Sequence, residues 1–230
     1  MSAPVVELWA RRLIDATSLT KGQTFLDVGG GDGALCAAIE SLSGAIGAVV
    51  DPAVDPSTAA PNRVRGTAEA LPFPDADFDV VLFNHVAHML KRPVVALREA
   101  ARVVSPGGRI SVRFSSPQNL QKLPLARWDP EGFEALASRA PTISRILTWG
   151  KRAGLGMSAF DLVSTPFAGT YEQWIAGMSH IVEQAWLESG CRGSVSPVAA
   201  FEAVVRRAYI SPEPFEETLL VFTRPYPPNA

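Results

Sequence analysis

The sequence predicts an α/β fold in which helices cover both faces of a parallel sheet. Three observations predict it. Short apolar runs alternate with helical patterns through the first half of the chain, as in parallel sheets with crossover helices. The run Phe78–Phe83 is apolar almost throughout, which is typical of a strand buried on both faces. A composition of 47% hydrophobic and 19% charged residues excludes wholesale disorder.

In the first half, β-rich or apolar runs predict strands, and helices are predicted where apolar residues repeat every three or four positions. The predicted strands are Thr24–Val28, Ile46–Val50, Phe78–Phe83 and Arg109–Phe114. The predicted helices are Val5–Ala16, Ala34–Leu42 and Pro93–Val104. Proline begins the third helix, and the turn residues Ser105–Gly108 end it.

The second half has fewer strands and more helix. The predicted strands are Ser158–Thr165 and Glu217–Arg224, and the predicted helices are Thr142–Ala153, Tyr171–Glu188 and Val198–Tyr209. The stretch between the two strands is too long for a hairpin connection. We therefore expect a helical insertion over about residues 166–214, between two neighbouring strands, where it would cover a site at the strand ends.

Charge and cysteine content exclude several classes of partner. The formal net charge is −2, so no strongly basic field exists for nucleic acid or an anionic membrane. Two cysteines, Cys36 and Cys191, and three scattered histidines predict neither a disulfide scaffold nor a metal site. The sequence has no apolar run of membrane-spanning length and no secretion signal at its start. We expect a cytoplasmic protein.

A glycine-rich loop is the sharpest local feature. The strand Thr24–Val28 runs into Gly29, Gly30 and Gly31, Gly33 follows, and a helix then begins. Glycines let the backbone approach a ligand closely, and a helix N-terminus offers free N–H groups. Asp51 ends the next predicted strand, where it is placed to bind the hydroxyls of a ribose.

The loop alone does not decide which nucleotide it binds, because the spacing of Gly29, Gly31 and Ala34 also fits a dinucleotide site. Asp27 breaks the tie. Its carboxylate would repel a pyrophosphate, whereas it would attract the ammonium of an amino-acid group. S-adenosylmethionine carries such an ammonium, a sulfonium and a ribose.

Three motifs in order resemble those of the class I S-adenosylmethionine-dependent methyltransferases. Asp27–Gly33 resembles their first motif. Arg65–Asp75 followed by Phe78–Val81 resembles the ubiquinone/menaquinone-biosynthesis-like (type 11) small-molecule group, as does Leu97–Gly108. The resemblance covers about residues 5–115.

The resemblance implies a doubly wound, mostly parallel sheet of seven strands whose last strand, Glu217–Arg224, is antiparallel. It also implies the roles of the residues that would bind the cofactor: Asp27 at the amino-acid end, Gly29 and Gly31 in close backbone approach, Asp51 on the ribose, Thr67 and Ala68 at the adenine edge, and Asn84 beside the methionine moiety. Thr67 departs from the family, which often carries Asp there, so the adenine edge differs.

Methyl transfer needs alignment and exclusion of water more than a dedicated base. His85 and His88, just after the strand Phe78–Phe83, are the candidate catalytic residues, because histidine can take a proton from a hydroxyl near neutral pH. We expect His85 to be the better placed, since a helix beginning near Val86 would turn His88 partly away. The apolar residues around His180 are expected either to pack or to form a lid.

These observations predict one methyltransferase-like domain over 1–230, with a cofactor-binding half (1–115) and a substrate-side half (116–230). We expect methyl transfer from S-adenosylmethionine to a small, fairly apolar acceptor, with O- or C-methylation favoured. Three alternatives stay open: an enzyme of this fold that catalyses cyclisation, decarboxylation or rearrangement, a non-catalytic cofactor-binding module, and a nicotinamide-dependent oxidoreductase. A homodimer is compatible with the sequence.

Overall fold

The structure is a computed structural model that describes residues 3–54, 62–121, 134, 137–165 and 215–226. Its helices are α1 (Ala3–Thr17), α2 (Ala34–Ser43), α3 (Pro93–Val103), α4 (Pro117–Leu120) and α5 (Ile143–Arg152). Its strands are β1 (Thr24–Val28), β2 (Ile46–Asp51), β3 (Arg63–Arg65), β4 (Phe78–Asn84), β5 (Val104–Phe114), β6 (Gly156–Thr165) and β7 (Phe215–Thr223). A short 3₁₀ helix spans Ala87–Met89.

The strands form a seven-stranded sheet in the order β3-β2-β1-β4-β5-β7-β6. The pairs β1–β2, β2–β3, β1–β4 and β4–β5 are parallel, and β5 pairs with β7 antiparallel. This order confirms the predicted doubly wound sheet with an antiparallel last strand. The order reverses between β1 and β4, and ligands in such sheets bind at the carboxyl ends of the strands beside this point.

The two faces of the sheet carry different cores. Alternate residues of the central strands, among them Val28, Phe83 and Val112, pack with α3 and α5 in one apolar cluster. Gly150 lets α5 approach the sheet, since a Cβ there would lie 2.4 Å from a ring carbon of Phe222. The opposite face, which carries Asp27, is covered by α1 and α2, and Trp9 of α1 is fully buried there. Burial on both faces explains the near-continuous apolar character of β4.

The prediction of where β5 begins was wrong. We expected the turn residues after α3 to precede a strand at Arg109, but β5 already begins at Val104. Pairing with β4 jumps from Phe78–Val104 to Val80–Arg109, so the extra residues form a bulge. Within the bulge, Gly107 has a φ of 79° and donates its N–H to the carbonyl of Arg224. Backbone pairing with a distant strand end therefore overrides the local turn signal.

The other predicted elements agree with the structure to within about two residues wherever both are described. β3 was not predicted, because three residues with two arginines carry no strand pattern. The predicted helices Tyr171–Glu188 and Val198–Tyr209, the insertion 166–214, His180 and Cys191 lie outside the described residues. The predictions of a single domain and of a covering insertion therefore stay predictions.

The chain divides into two compact units. The first comprises Met1–Phe114, Ile143–Leu162 and Thr218–Ala230, and it contains the glycine loop and the ends of β1, β2 and β4. The second comprises Ser115–Thr142 and Val163–Glu217. This second unit contains the start of α4, where the side chains of Ser116 and Asn119 each accept the other's backbone N–H in a capping box.

Candidate active site

Asp27 is a buried carboxylate at the end of β1. The residue is 1% exposed, and in the described part of the chain neither carboxylate oxygen has a hydrogen-bond partner. Burial, reinforced by the negative charge of Asp51, raises the pKa of Asp27 to about 7. A buried carboxylate without a partner is costly, and its free energy falls when a cation or a proton reaches it.

The glycine loop is shaped by close contacts. A Cβ at Gly30 would lie 2.7 Å from Oδ2 of Asp27, so only glycine leaves room for that carboxylate. Gly29 has a φ of 74°, and a Cβ there would lie 2.6 Å from a methyl carbon of Val86. Apart from the two chain neighbours of Gly31, no described residue would have a heavy atom within 4 Å of a Cβ at this position, so the backbone faces open space there. The loop thus has a packed side and an open side.

Two charged side chains hold the peptide groups of Gly31. Asp51 accepts the N–H of Gly31 at 3.0 Å on Oδ2, and the N–H of Ala53 at 2.8 Å on Oδ1. Arg63, the first residue of β3, donates to the carbonyl of Gly31 at 2.6 Å. Asp51 is half-buried and its oxygens keep further acceptor capacity, so it can still bind hydroxyl groups. No local pattern in the sequence predicted this role for Arg63.

Thr67 and Ala68 follow β3 in the loop over residues 66–75. Thr67 is exposed and bridges to Ala70, and Ala68 is half-buried. The Gly66 N–H donates to the Asp51 carbonyl at 3.4 Å, which places the start of this loop beside the end of β2. The structure therefore brings both predicted adenine-edge residues close to the predicted ribose ligand.

The rest of this loop is fastened to α3. Arg102 donates to the carbonyls of Leu71 and Phe73 at 3.0 and 2.8 Å, and to the carboxylates of Glu99 and Asp75 at 2.8 Å. Glu99 also accepts the N–H of Leu71, and its hydrogen bond from Arg102 lowers the pKa of the Glu99 carboxyl. These contacts hold the loop without any ligand.

Asn84 ends β4 and shares a side-chain face with Asp27. Asp27 pairs with Leu82, two residues before Asn84, and side chains two apart in a strand point to the same face. Asn84 pairs in turn with Arg113 of β5, whose guanidinium donates to Asn84 Oδ1 at 2.8 Å. Arg113 is 5% exposed and lies 3.8 Å from the centre of the Trp9 ring. Arg113 was not predicted as a site residue, although a charged residue inside an apolar strand is a sequence signal that could have identified it.

His85 and His88 lie next to each other after β4. His85 has a φ of 61°, an uncommon conformation for a residue with a side chain, and its N–H donates to the carbonyl of Arg113 at 3.0 Å. Both histidines are exposed, and their ring centres are 5.3 Å apart in an edge-to-face arrangement. A 3₁₀ turn rather than the expected α-helix follows Val86 and brings the two rings together. The expectation that His85 is the better placed of the two stays a prediction.

The described ranges contain no cluster of three or more His, Cys, Asp or Glu side chains able to bind a metal ion. In those same ranges, every helix lacks the length and apolar character needed to cross a bilayer. Cys36 is buried in α2, and burial raises the pKa of its thiol to about 12, so it remains a thiol at neutral pH.

Comparison with known proteins bears on this arrangement. Residues 26–112, from β1 to β5, match a family model described as a methyltransferase domain. Over these residues the chain is similar to methyltransferase domains. The matched region contains each candidate site residue named above, from Asp27 to His88.

The curated relatives include ubiquinone/menaquinone biosynthesis C-methyltransferases. Those of Citrobacter koseri and Salmonella arizonae are 36% and 35% identical to this chain over 132 residues. Each alignment covers 51% of this chain and 53% of the relative, so the chain spans about half the length of the curated relatives it matches.

Solved structures share the fold over nearly the whole chain. A protein from Anabaena variabilis, described as a methyltransferase from an antibiotic biosynthesis pathway, has a TM-score of 0.69 at 17% identity, covering 94% of this chain and 96% of its own. The [4+2]-cyclase SpnF has a TM-score of 0.62 at 18% identity, covering 96% and 81%. A geranyl diphosphate methyltransferase in complex with S-adenosylmethionine has a TM-score of 0.57 at 14% identity, covering 95% and 85%. At these identities the likeness establishes the methyltransferase fold.

Proposed function

We propose that the protein is an S-adenosylmethionine-dependent methyltransferase that acts on a small, fairly apolar acceptor. The observation that carries the proposal is Asp27, a buried carboxylate with no partner in the described part of the chain, beside a glycine loop. The ammonium of S-adenosylmethionine supplies the cation that such a carboxylate lacks. A pyrophosphate would meet a negative charge there, which argues against a nicotinamide dinucleotide.

The remaining residues fit the rest of this cofactor. Gly31 leaves open space where a ligand can lie against the backbone, and Asp51, held beside it, retains acceptor capacity for the ribose hydroxyls. Thr67 and Ala68 border the adenine in this assignment, and Asn84 borders the methionine moiety. Thr67 replaces an acidic side chain common in the family, so recognition of the adenine amino group falls to the backbone.

When bound, the cofactor supplies a methyl group on a sulfonium, which a nucleophile displaces in line. The chain's own task is to hold the acceptor in that line and to keep water out. His85 is the candidate base for an acceptor that must lose a proton, since it follows β4 directly and lies beside Asn84. His88 contacts the His85 ring and is the second candidate.

Calorimetric titration tests the cofactor. We expect the protein to bind S-adenosylmethionine and S-adenosylhomocysteine and to show no heat of binding with NADH. Binding of NADH without binding of the adenosyl ligands would overturn the proposal in favour of an oxidoreductase.

Methyl transfer tests the acceptor class and the base. With methyl-labelled cofactor, label should pass to small phenols, quinols or related apolar acceptors, the chemistry that fits relatives named for ubiquinone and menaquinone. His85→Asn should lower turnover by at least tenfold and leave cofactor affinity within twofold, because asparagine tolerates the positive φ of this position. His88→Asn is the matched control with a smaller expected loss. Full turnover of His85→Asn would mean that the base lies elsewhere or is not needed.

A second candidate function is a cyclisation in which the bound cofactor transfers no methyl group. The likeness to the [4+2]-cyclase SpnF over 96% of this chain favours keeping it. Product formation from a candidate substrate without release of S-adenosylhomocysteine would support this candidate against methyl transfer.

A further inference from the structure

Arg113 determines which end of the Asn84 amide faces the site. An asparagine side chain has an acceptor oxygen and a donor nitrogen, and either can be turned toward a ligand. A guanidinium has only donors, so the Arg113 Nη1 that lies 2.8 Å from the amide requires its oxygen there. The opposite orientation would bring two donors together. Asn84 therefore directs its NH₂ group away from Arg113.

The position of Arg113 is itself fixed by packing. The residue is 5% exposed, and its guanidinium stacks 3.8 Å from the centre of the Trp9 ring, which is fully buried. The backbone carbonyl of Arg113 also accepts the N–H of His85. One residue of β5 thus holds the side chain of Asn84 and the backbone of His85.

Asn84 and Asp27 present opposite hydrogen-bonding character on the same face of the sheet. Asp27 offers acceptor oxygens and negative charge at the end of β1, whereas Asn84 offers a donor at the end of β4. Among the described residues, no acceptor takes a hydrogen bond from Asn84 Nδ2. The amino-acid end of S-adenosylmethionine carries one cationic and one anionic group, which matches this pair.

We propose that Arg113 is a positioning residue that makes Asn84 a donor to the carboxylate of the cofactor's amino-acid end, while Asp27 binds the ammonium. The inference rests on the proposed function and deepens it, because it divides recognition of the two charged groups between two strands. It also gives α1 a part in cofactor binding, through Trp9 and Arg113.

Three ligands separate the two groups. S-adenosylhomocysteine carries both charges, its decarboxylated analogue carries only the ammonium, and methylthioadenosine carries neither. Asn84→Asp keeps the oxygen that Arg113 needs but replaces the donor with a negative oxygen. We expect this variant to bind S-adenosylhomocysteine at least thirtyfold more weakly than the wild type. Its affinity for methylthioadenosine should stay within threefold, and its affinity for the decarboxylated analogue should stay within threefold or increase.

Substitutions of Arg113, alone and together with Asn84, test whether Arg113 acts through Asn84. Arg113→Met should weaken S-adenosylhomocysteine by about five- to thirtyfold without affecting methylthioadenosine. The double variant Asn84→Ala with Arg113→Met should bind no more weakly than Asn84→Ala alone.

The possible results either support or overturn the inference. Equal weakening of all three ligands by Asn84→Asp, or additive losses in the double variant, would overturn it and leave the proposed function standing. If the wild type bound none of the adenosyl ligands, the proposed function would fail and the inference with it. Should Arg113→Met not fold, Asn84→Asp at the half-buried strand end still decides.

Discussion

The end of β1 and the loop over residues 66–75 border the same edge of the sheet, yet in the described part of the chain the polar groups of the loop are hydrogen-bonded whereas the Asp27 carboxylate at the end of β1 is not. Around the loop, Arg102 of α3 donates to two backbone carbonyls and two carboxylates, and Glu99 of α3 accepts the N–H of Leu71. At the end of β1, Asp27 has no partner among the described residues although it is 1% exposed.

The contrast separates a structural network from a binding site. A hydrogen-bonded network stabilises the folded chain without any ligand. A buried unpaired carboxylate destabilises the unliganded folded chain, and binding of a cation removes that cost. Substitutions in the network around the loop should therefore lower stability, whereas removal of the Asp27 charge should raise stability and weaken cofactor binding.

The largest expected effect on stability is that of Arg102→Ala. Loss of the guanidinium removes its hydrogen bonds to Leu71 and Phe73 and leaves Glu99 without its counter-charge. We expect the free energy of unfolding to fall by about 2–4 kcal/mol. Urea denaturation measures it, with Arg98→Ala on the exposed side of the same helix as a control that should cost less than about 1 kcal/mol. A loss no greater than the control would show that the network is dispensable.

Asp27→Asn should act in the opposite sense. Removal of a buried charge should raise the free energy of unfolding at pH 8 by about 1–3 kcal/mol, since the unpaired carboxylate is no longer buried ionised. The same variant should bind S-adenosylhomocysteine about 100-fold more weakly, a loss of about 3 kcal/mol. Asp32→Asn is the control, because that side chain is exposed and, within the described ranges, accepts only the N–H of Ala34. Reduced stability with unchanged affinity would show that Asp27 has a structural role and does not bind the cofactor.

Asp51→Ala should weaken S-adenosylhomocysteine by about 1–3 kcal/mol, the range for lost hydrogen bonds in a closed site. Because Asp51 also holds the N–H of Gly31, part of the loss comes from a looser glycine loop. Asp51→Asn keeps one acceptor oxygen and should lose less. Calorimetry compares the two, and unchanged affinity in Asp51→Ala would mean that the ribose lies elsewhere.

The smallest expected effect is a pH dependence of about tenfold in affinity. With its pKa raised to about 7, Asp27 is mostly protonated at pH 6 and mostly ionised at pH 8, and only the ionised form pairs with an ammonium. Affinity for S-adenosylhomocysteine should therefore rise about tenfold from pH 6 to pH 8.

The stability of the unliganded protein should fall, rather than rise, as the pH increases from 6 to about 7. The folded-state pKa of Asp27 lies above its ordinary value of 3.8, so the folded state holds a proton that the unfolded state has released. The contribution of Asp27 to stability is thus present at low pH and is lost as the pH rises from about 4 through about 7. Asp27→Asn should abolish both trends, and a wild-type affinity that stays flat from pH 6 to pH 8 would argue against an ammonium on Asp27.

Much of the fold was predictable because its signals are local. The end of β1 at the glycines, the start of α3 at Pro93 and the apolar run of β4 each follow from neighbouring residues. Local signals failed at β3 and at the start of β5, where hydrogen bonds to other strands stabilise backbone that no local pattern marks as extended.

The candidate site divides in the same way. The places of Asp27, Asp51 and His85 at strand ends were enough to predict them as site residues, because parallel strands bring those ends together. Asn84 was predicted from the resemblance to the methyltransferase family. Tertiary structure alone decided that Asp27 is enclosed with no partner among the described residues, that Arg63 holds Gly31, and that the Arg113 guanidinium, stacked on Trp9, reaches Asn84. The physical reason is distance along the chain: burial and pairing depend on residues tens of positions away, and no short pattern of residues encodes them.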